Sequence, residues 1–162
     1  MHNGRATVDA VVSLTGFSLV GGPAYNDSKA AQELLTRLDV PYLSTLAVEF
    51  QTMEQWQDSD QGLLPVEATM MVAIPELDGS TGSMVFGGRS NAVATEEARD
   101  MQSHTERTEM LAARVAKLVA LRHTARRERK IGIVLFNFPP NAGNTGTAAY
   151  LSVFSSLFNT LV

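Results

Sequence analysis

The stretch IGIVLFNFPPNAGNTGTAAYL, residues 131–151, sets the reading of the whole chain. Ile131 to Phe138 is almost continuously apolar and rich in β-branched and aromatic types, the pattern of a strand covered on both faces in a parallel sheet. Pro139 and Pro140 end it. The small and amide residues Asn141-Ala142-Gly143-Asn144-Thr145-Gly146 follow as a loop. From Thr147 to Val162 the apolar positions Leu151, Phe154, Leu157, Phe158 and Leu161 recur at helical spacing. A strand, a Gly/Asn loop and a helix in that order form the basic α/β unit, whose ligands gather outside the carboxyl ends of the strands. The loop is therefore the first candidate binding surface.

A second unit of the same plan opens the chain. Val8 to Leu14 predicts a strand, and Thr15-Gly16-Phe17-Ser18-Leu19-Val20-Gly21-Gly22-Pro23 predicts a loop. Asn26, Asp27 or Ser28 can cap the helix marked by Ala30, Leu34, Leu35 and Leu38, which ends at Asp39-Val40-Pro41. Tyr42 to Val48 is a third strand. Thr52 and Gln55 have the spacing of a capping box for a short helix carrying Trp56. Pro65 suits the first turn of another helix, with Val66, Met70 and Ile74 on one side until Pro75 breaks it. Met84 to Phe86 reads as a short strand closed by Gly87-Gly88. Thr95 predicts the cap of the longest helix, about Glu96 to Arg127, with Thr108, Leu111, Val115, Leu118, Val119 and Arg122 along one side. Alternating strands and helices predict an α/β fold, a three-layer domain with a mostly parallel sheet and flanking helices. Residues 1–7 are polar and read as an artificial or exposed start, leaving one domain over 8–162.

The composition narrows the function. With 162 residues and 44% hydrophobic content the chain can build a real core. Net charge of -4 argues against a nucleic-acid surface. No apolar run has the length of a membrane span, so the expectation is a soluble, cytoplasmic, non-transmembrane protein. Cysteine is absent, which removes thiolate zinc sites and cysteine nucleophiles, and His2, His104 and His123 lack metal-ligand spacing. No metal site is predicted.

The candidate residues each have a functional and a plain reading. Asn141, Gly143, Asn144 and Gly146 form either an anion cradle or a tight βα turn, and without a G-x-x-x-x-G-K-[ST] pattern the loop is no P-loop. Gly16, Gly21 and Gly22 line the first loop in the same way. Glu76 and Asp78 flank a turn and could bind a cation or accept protons, while Asp78-Gly79 is also an ordinary turn dipeptide. Glu49 ends the third strand, where it could open onto the same sheet edge as the glycine loops or simply be solvated, and Arg89 could hold a carboxylate through two hydrogen bonds or be a surface arginine. The basic end of the long helix, from Arg122 to Lys130, fits a solvated helix C-terminus. His104 and His123 read as isolated structural residues.

Three segments together resemble one family: SLTGFSLVGGPAYND (Ser13 to Asp27), VAIPELDG (Val72 to Gly79) with VFGGR (Val85 to Arg89), and FNFPPNAGNTGTAAYL (Phe136 to Leu151). They are similar to the large H subunits of magnesium chelatases, in the bacteriochlorophyll-type form, within a superfamily shared with cobaltochelatase large subunits. DVPYL, FQTMEQW and GLLPVEA fit the same family, so the resemblance runs from Val8 onward and implies an internal piece of a much longer subunit. It implies ATP-dependent insertion of Mg²⁺ into protoporphyrin IX, with ATP hydrolysed by separate I and D subunits and no cofactor held by this segment itself. It also implies contact with the remainder of the H subunit. Phe17, Tyr25, Phe138 and Tyr150 could pack against a flat macrocycle, or form core. The alternatives are a cobaltochelatase large subunit and a non-catalytic scaffold or docking domain.

Overall fold

The structure, a computed structural model, describes residues 6–20, 25–80, 82–91, 101–135, 146 and 152–162. The chain divides into two compact units, Met1–Thr124 and Ala125–Val162.

The first unit is built on a sheet of order β1-β2-β3-β4. β1 (Val11–Ser13), β2 (Tyr42–Thr52) and β3 (Met84–Arg89) run parallel, and β4 (Gln102–Ser103) is antiparallel to β3. Flanking helices complete the α/β class read from the sequence. Tyr42 to Leu46 are all buried, as a central parallel strand requires when both its faces are covered. The core cluster is Leu46, Val48, Met53, Met71 and Val85, with Phe17 and Trp56 packed against it.

The helices start where local chemistry dictates. Asp27 caps α1 (Ser28–Leu38) through Ala30 N–H to Oδ1 at 3.0 Å, and Asp39 ends it in the left-handed region. The capping box of α2 (Met53–Asp58) forms in both directions, Gln55 N–H to Thr52 Oγ1 at 3.2 Å and Thr52 N–H to Gln55 Oε1 at 2.9 Å.

Glu54, in the first turn of α2, accepts from Ser90 Oγ at 2.6 Å and from Asn91 N–H at 3.2 Å. The Ser90 hydroxyl, followed by backbone N–H donors, lowers its pKa from 4.5 to about 2. A carboxyl lowered in the folded state contributes stability above its unfolded value, so this contribution is complete above pH 4.5 and fades as the pH falls toward 2. Ser90→Ala is expected to move the Glu54 titration back toward 4.5, read by carboxyl-carbon NMR.

Four departures from the sequence reading have physical causes. The helix begun by Pro65 does not break at Pro75. α3 (Pro65–Glu67) continues as a π-helical stretch, Ala68–Ala73, and then as α4 (Ile74–Leu77). Ile74 N–H reaches Thr69 C=O, one residue further back than in an α-helix, and the widened turn admits the proline ring.

β3 likewise runs through Gly87 and Gly88 instead of stopping there. A methyl on Gly88 would overlap the Val48 side chain and lie 2.7 Å from the Val48 carbonyl oxygen, while one on Gly87 would overlap the Gln102 carbonyl. The glycines let three backbones approach.

The long helix, α5 (Thr105–His123), is shorter than its period implied. His104 caps it, accepting Arg107 N–H on Nδ1 at 3.5 Å, and Thr124 turns extended after it. The expected cap, Thr95, lies outside the described residues. Leu111, Val115, Leu118 and Val119 are its less exposed positions, whereas Thr108 and Arg122 are exposed.

In the second unit, residues 131–135 form no strand, and Phe136 to Phe138 lie outside the described residues. A short 3-10 turn, Arg126–Glu128, precedes them, and α6 (Val153–Leu161) fulfils part of the expected C-terminal helix.

Candidate functional site

The Pro75-Glu76-Leu77-Asp78-Gly79-Ser80 turn is where the sequence candidates converge in the first unit. Asp78 is fully buried and accepts Ser18 Oγ–H at 2.7 Å and Leu19 N–H at 2.9 Å on the same oxygen, Oδ2. The loop after β1 is thereby fastened to the turn before β3. Ser80, also fully buried, accepts Ser44 N–H from β2 at 2.7 Å, and Gln32 of α1 donates to Leu77 C=O at 2.9 Å. Gly16 supports the same loop. Its φ of +71° suits glycine, and an added methyl would come within 3.3 Å of Leu46 Cβ and 3.4 Å of Leu46 Cα.

The other Asp78 oxygen, Oδ1, has no hydrogen-bond partner among the described residues, and neither has the buried hydroxyl of Tyr42 or of Ser44. Burial pushes the Tyr42 phenol above its ordinary 10.0; the Ser13 hydroxyl pulls it back without completing a hydrogen bond, and the Asp78 carboxylate raises it further. Gly79 opens onto a cleft of about 310 Å³ lined by Leu35, Tyr42, Leu43, Arg114 and Leu118. Glu76 is exposed on the same turn.

Glu49 and Arg89 lie toward the other end of the sheet. β2 carries an irregularity between Val48 and Thr52, where Val48 pairs with Gly88 and Thr52 with Arg89, and Glu49 sits inside it. Ser44 and Thr52 are roughly 25 Å apart along an extended strand. Glu49 and Arg89 therefore share the carboxyl end of β2 and β3, away from the anchored turn. Arg89 is exposed, Glu49 is half-buried, and neither has an ion-pair partner among the described residues.

Of the remaining candidates, Gly146 is buried with φ +74°, while Gly21, Gly22, Asn141, Gly143 and Asn144 lie outside the described residues. Among the aromatics, Phe17 packs on the core and Tyr25 is exposed; Phe138 and Tyr150 lie outside the described residues.

The structure adds residues that sequence reading passed over. Glu67 is fully buried and accepts Gln51 Nε2–H at 2.6 Å, Leu64 N–H at 3.0 Å and Phe50 N–H at 3.3 Å. His104, which read as isolated, stands edge-on to Trp56 with ring centroids 6.4 Å apart, and the Arg107 guanidinium lies 5.2 Å over the Trp56 ring. His104 Nδ1 accepts Arg107 N–H at 3.5 Å, and its Nε2 lies 2.7 Å from the Gln57 side-chain nitrogen. His123 reaches Asp9 at 3.0 Å. Among the described residues no group of three or more acidic or His side chains could hold a metal, and no helix is long and apolar enough to cross a membrane.

The segments that meet at Asp78 are two of those that carried the family resemblance, and the family model for CobN/Magnesium Chelatase matches residues 1–162. The chain belongs to the CobN/magnesium chelatase family. It is 52% identical to the magnesium-chelatase H subunit of Cereibacter sphaeroides, over 96% of this chain and 14% of that protein. The chloroplastic magnesium-chelatase subunit ChlH of Oryza sativa is 45% identical over 98% of the chain and 11% of its own length. The aerobic cobaltochelatase subunit CobN of Pseudomonas aeruginosa is 26% identical over 97% and 12%. The chain thus spans a small part of the length of its curated relatives. No solved structure matches it. In this chelatase-family segment VFGGR is explained by strand crowding, PELDG by the buried anchor, and the FQT and PVEA segments by the Gln51–Glu67 bond.

Proposed function

We propose that this segment belongs to the porphyrin-binding H subunit of a magnesium chelatase, a ligase that inserts Mg²⁺ into protoporphyrin IX during bacteriochlorophyll or chlorophyll synthesis. ATP is hydrolysed by separate I and D subunits, and the assembly works in the cytoplasm. The observation that carries this reading is the gap in similarity, 52% identity with a magnesium-chelatase H subunit against 26% with a cobaltochelatase subunit, over nearly the whole chain in both cases.

Insertion demands three things: a grip on the macrocycle, acceptance of two pyrrole protons, and partial dehydration of a tightly hydrated cation. Arg89, exposed beside the carboxyl ends of two parallel strands, suits a porphyrin propionate because guanidinium pairs with carboxylate through two hydrogen bonds. Glu49, at the same strand end as Arg89, is the nearer carboxylate for Mg²⁺ or proton contact, and the exposed Glu76, on the turn away from that end, is a separate candidate. Asp78 acts through the loop it holds by Ser18 and Leu19, and Gly16, Gly21 and Gly22 of that loop are proposed as substrate contacts from their sequence. The loop of Asn141, Gly143, Asn144 and Gly146 is a separate substrate-contact candidate, proposed from its sequence alone. Mg²⁺ is the substrate throughout, and no resident cofactor is assigned.

The test is a chimera in which these 162 residues replace the matching part of the Cereibacter sphaeroides H subunit, assayed with I and D subunits. Arg89→Ala is expected to weaken porphyrin binding about tenfold, equivalent to about 1.4 kcal/mol, without moving the unfolding midpoint. Glu49→Gln and Glu76→Gln are expected to lower kcat and leave porphyrin affinity unchanged. Wild-type affinity and turnover in all three variants would replace this reading with a docking role.

A further inference from the structure

Residues 131–135, Ile-Gly-Ile-Val-Leu, have the composition of a buried parallel strand and the surroundings of none. Ile131 is 82% exposed and Val134 95%, and among the described residues no strand pairs with them. The helix of the same unit is amphipathic, with Val153, Phe154, Leu157, Phe158 and Leu161 on one broad apolar face. Val153 and Leu157 share an apolar groove of about 270 Å³ with Ile133 and Leu135, while Phe154 and Phe158 point elsewhere and are 64% and 65% exposed. The 131–135 segment covers only the Val153–Leu157 edge of that face and leaves Phe154, Phe158 and Leu161 exposed. A strand apolar on both faces belongs inside a sheet. One strand and one helix cannot close a core by themselves.

We propose that residues 131–135 are an interior strand of a parallel sheet whose flanking strands come from the same subunit, from polypeptide outside these 162 residues, and that this body also covers Phe154 and Phe158. The length of the relatives supplies the occupant: the matched part is 14% of the Cereibacter sphaeroides protein, so most of that polypeptide is available to provide strands. A second copy of this chain fits less well. A two-fold dimer would pair the strand with itself in antiparallel fashion and leave its other edge open.

The test compares amide hydrogen exchange in the 162-residue chain with that in the chimera described above. In the 162-residue chain the Ile133 to Leu135 amides are expected to exchange within about tenfold of free-peptide rates, and in the chimera at least 100-fold more slowly. Equal rates in the two proteins overturn the proposal. So does protection in the 162-residue chain that grows with concentration alongside a dimer in sedimentation, which would make a second copy the occupant. Val134→Lys adds an independent reading. In the 162-residue chain it should leave the Trp56 unfolding midpoint in place, and in the chimera it should abolish the exchange protection or the folded yield. Retention of both in the chimera overturns the proposal.

Discussion

Glu67→Ala is expected to destabilise the first unit by about 3 kcal/mol or more, a large share of the margin of a small domain. The carboxylate is buried and receives three donors from three places: the end of β2, the Gln51 side chain, and the N-terminus of its own helix. A hydrogen bond to a charged acceptor contributes about 1.5–3 kcal/mol, and a buried donor left without a partner costs about 1–3 kcal/mol. Alanine removes all three bonds at once and strands Gln51, whose other contact is the Gly62 carbonyl at 3.2 Å. Urea unfolding followed by Trp56, the single tryptophan, should show a lower midpoint at unchanged slope. Glu67→Gln keeps the shape and one acceptor oxygen, so its loss should be about half as large. A loss below about 1 kcal/mol for alanine would mean that water enters and takes over the three donors, and that Glu67 does not hold β2 to its helix.

Gly88→Ala is expected to cost about 3 kcal/mol, at the upper end for overpacking. The added methyl meets the Val48 side chain and main chain together, and Val48 is fully buried in the central strand. Side-chain rotation cannot relieve a clash with backbone, so β2 and β3 must separate where the core is tightest. Gly87→Ala makes a useful contrast. Its methyl meets the carbonyl of Gln102 on β4, a two-residue edge strand that can move away, so the loss should be about 1 kcal/mol. Similar losses for both variants would show that β4 is held as firmly as β2.

Much of this fold was legible wherever the signal is local. Thr52 with Gln55, Asp27 before α1, and the apolar run of β2 each specify their structure within a few residues. Residues 131–135 show the limit of that reading, since continuous apolarity says that a segment seeks cover and not where the cover lies. The start of α5 was hidden because histidine is an uncommon cap and β4 before it is too short to announce itself. Gly87 and Gly88 read as a strand end because crowding by β2 and β4 is a tertiary fact.

The candidate site was legible mainly through resemblance. Motif similarity singled out PELDG and the Gly16 loop, but nothing in the spacing of Ser18 and Asp78 announced their contact. Glu67 and Gln51 were missed for the same reason, although Glu67 three residues after Leu64, with Pro65 between, is a readable helix-start signal.

The π-helical stretch fixes the phase of everything that follows it. It holds one more residue than α-helical turns would, and one residue is worth about 100° of rotation. Wound as a plain α-helix, the same sequence would place Leu77 where Asp78 now points inward, and Asp78 would turn about 100° onward, away from Ser18 and Leu19. Which side chain of PELDG anchors the loop is thus decided several residues upstream, in a segment with no charge of its own.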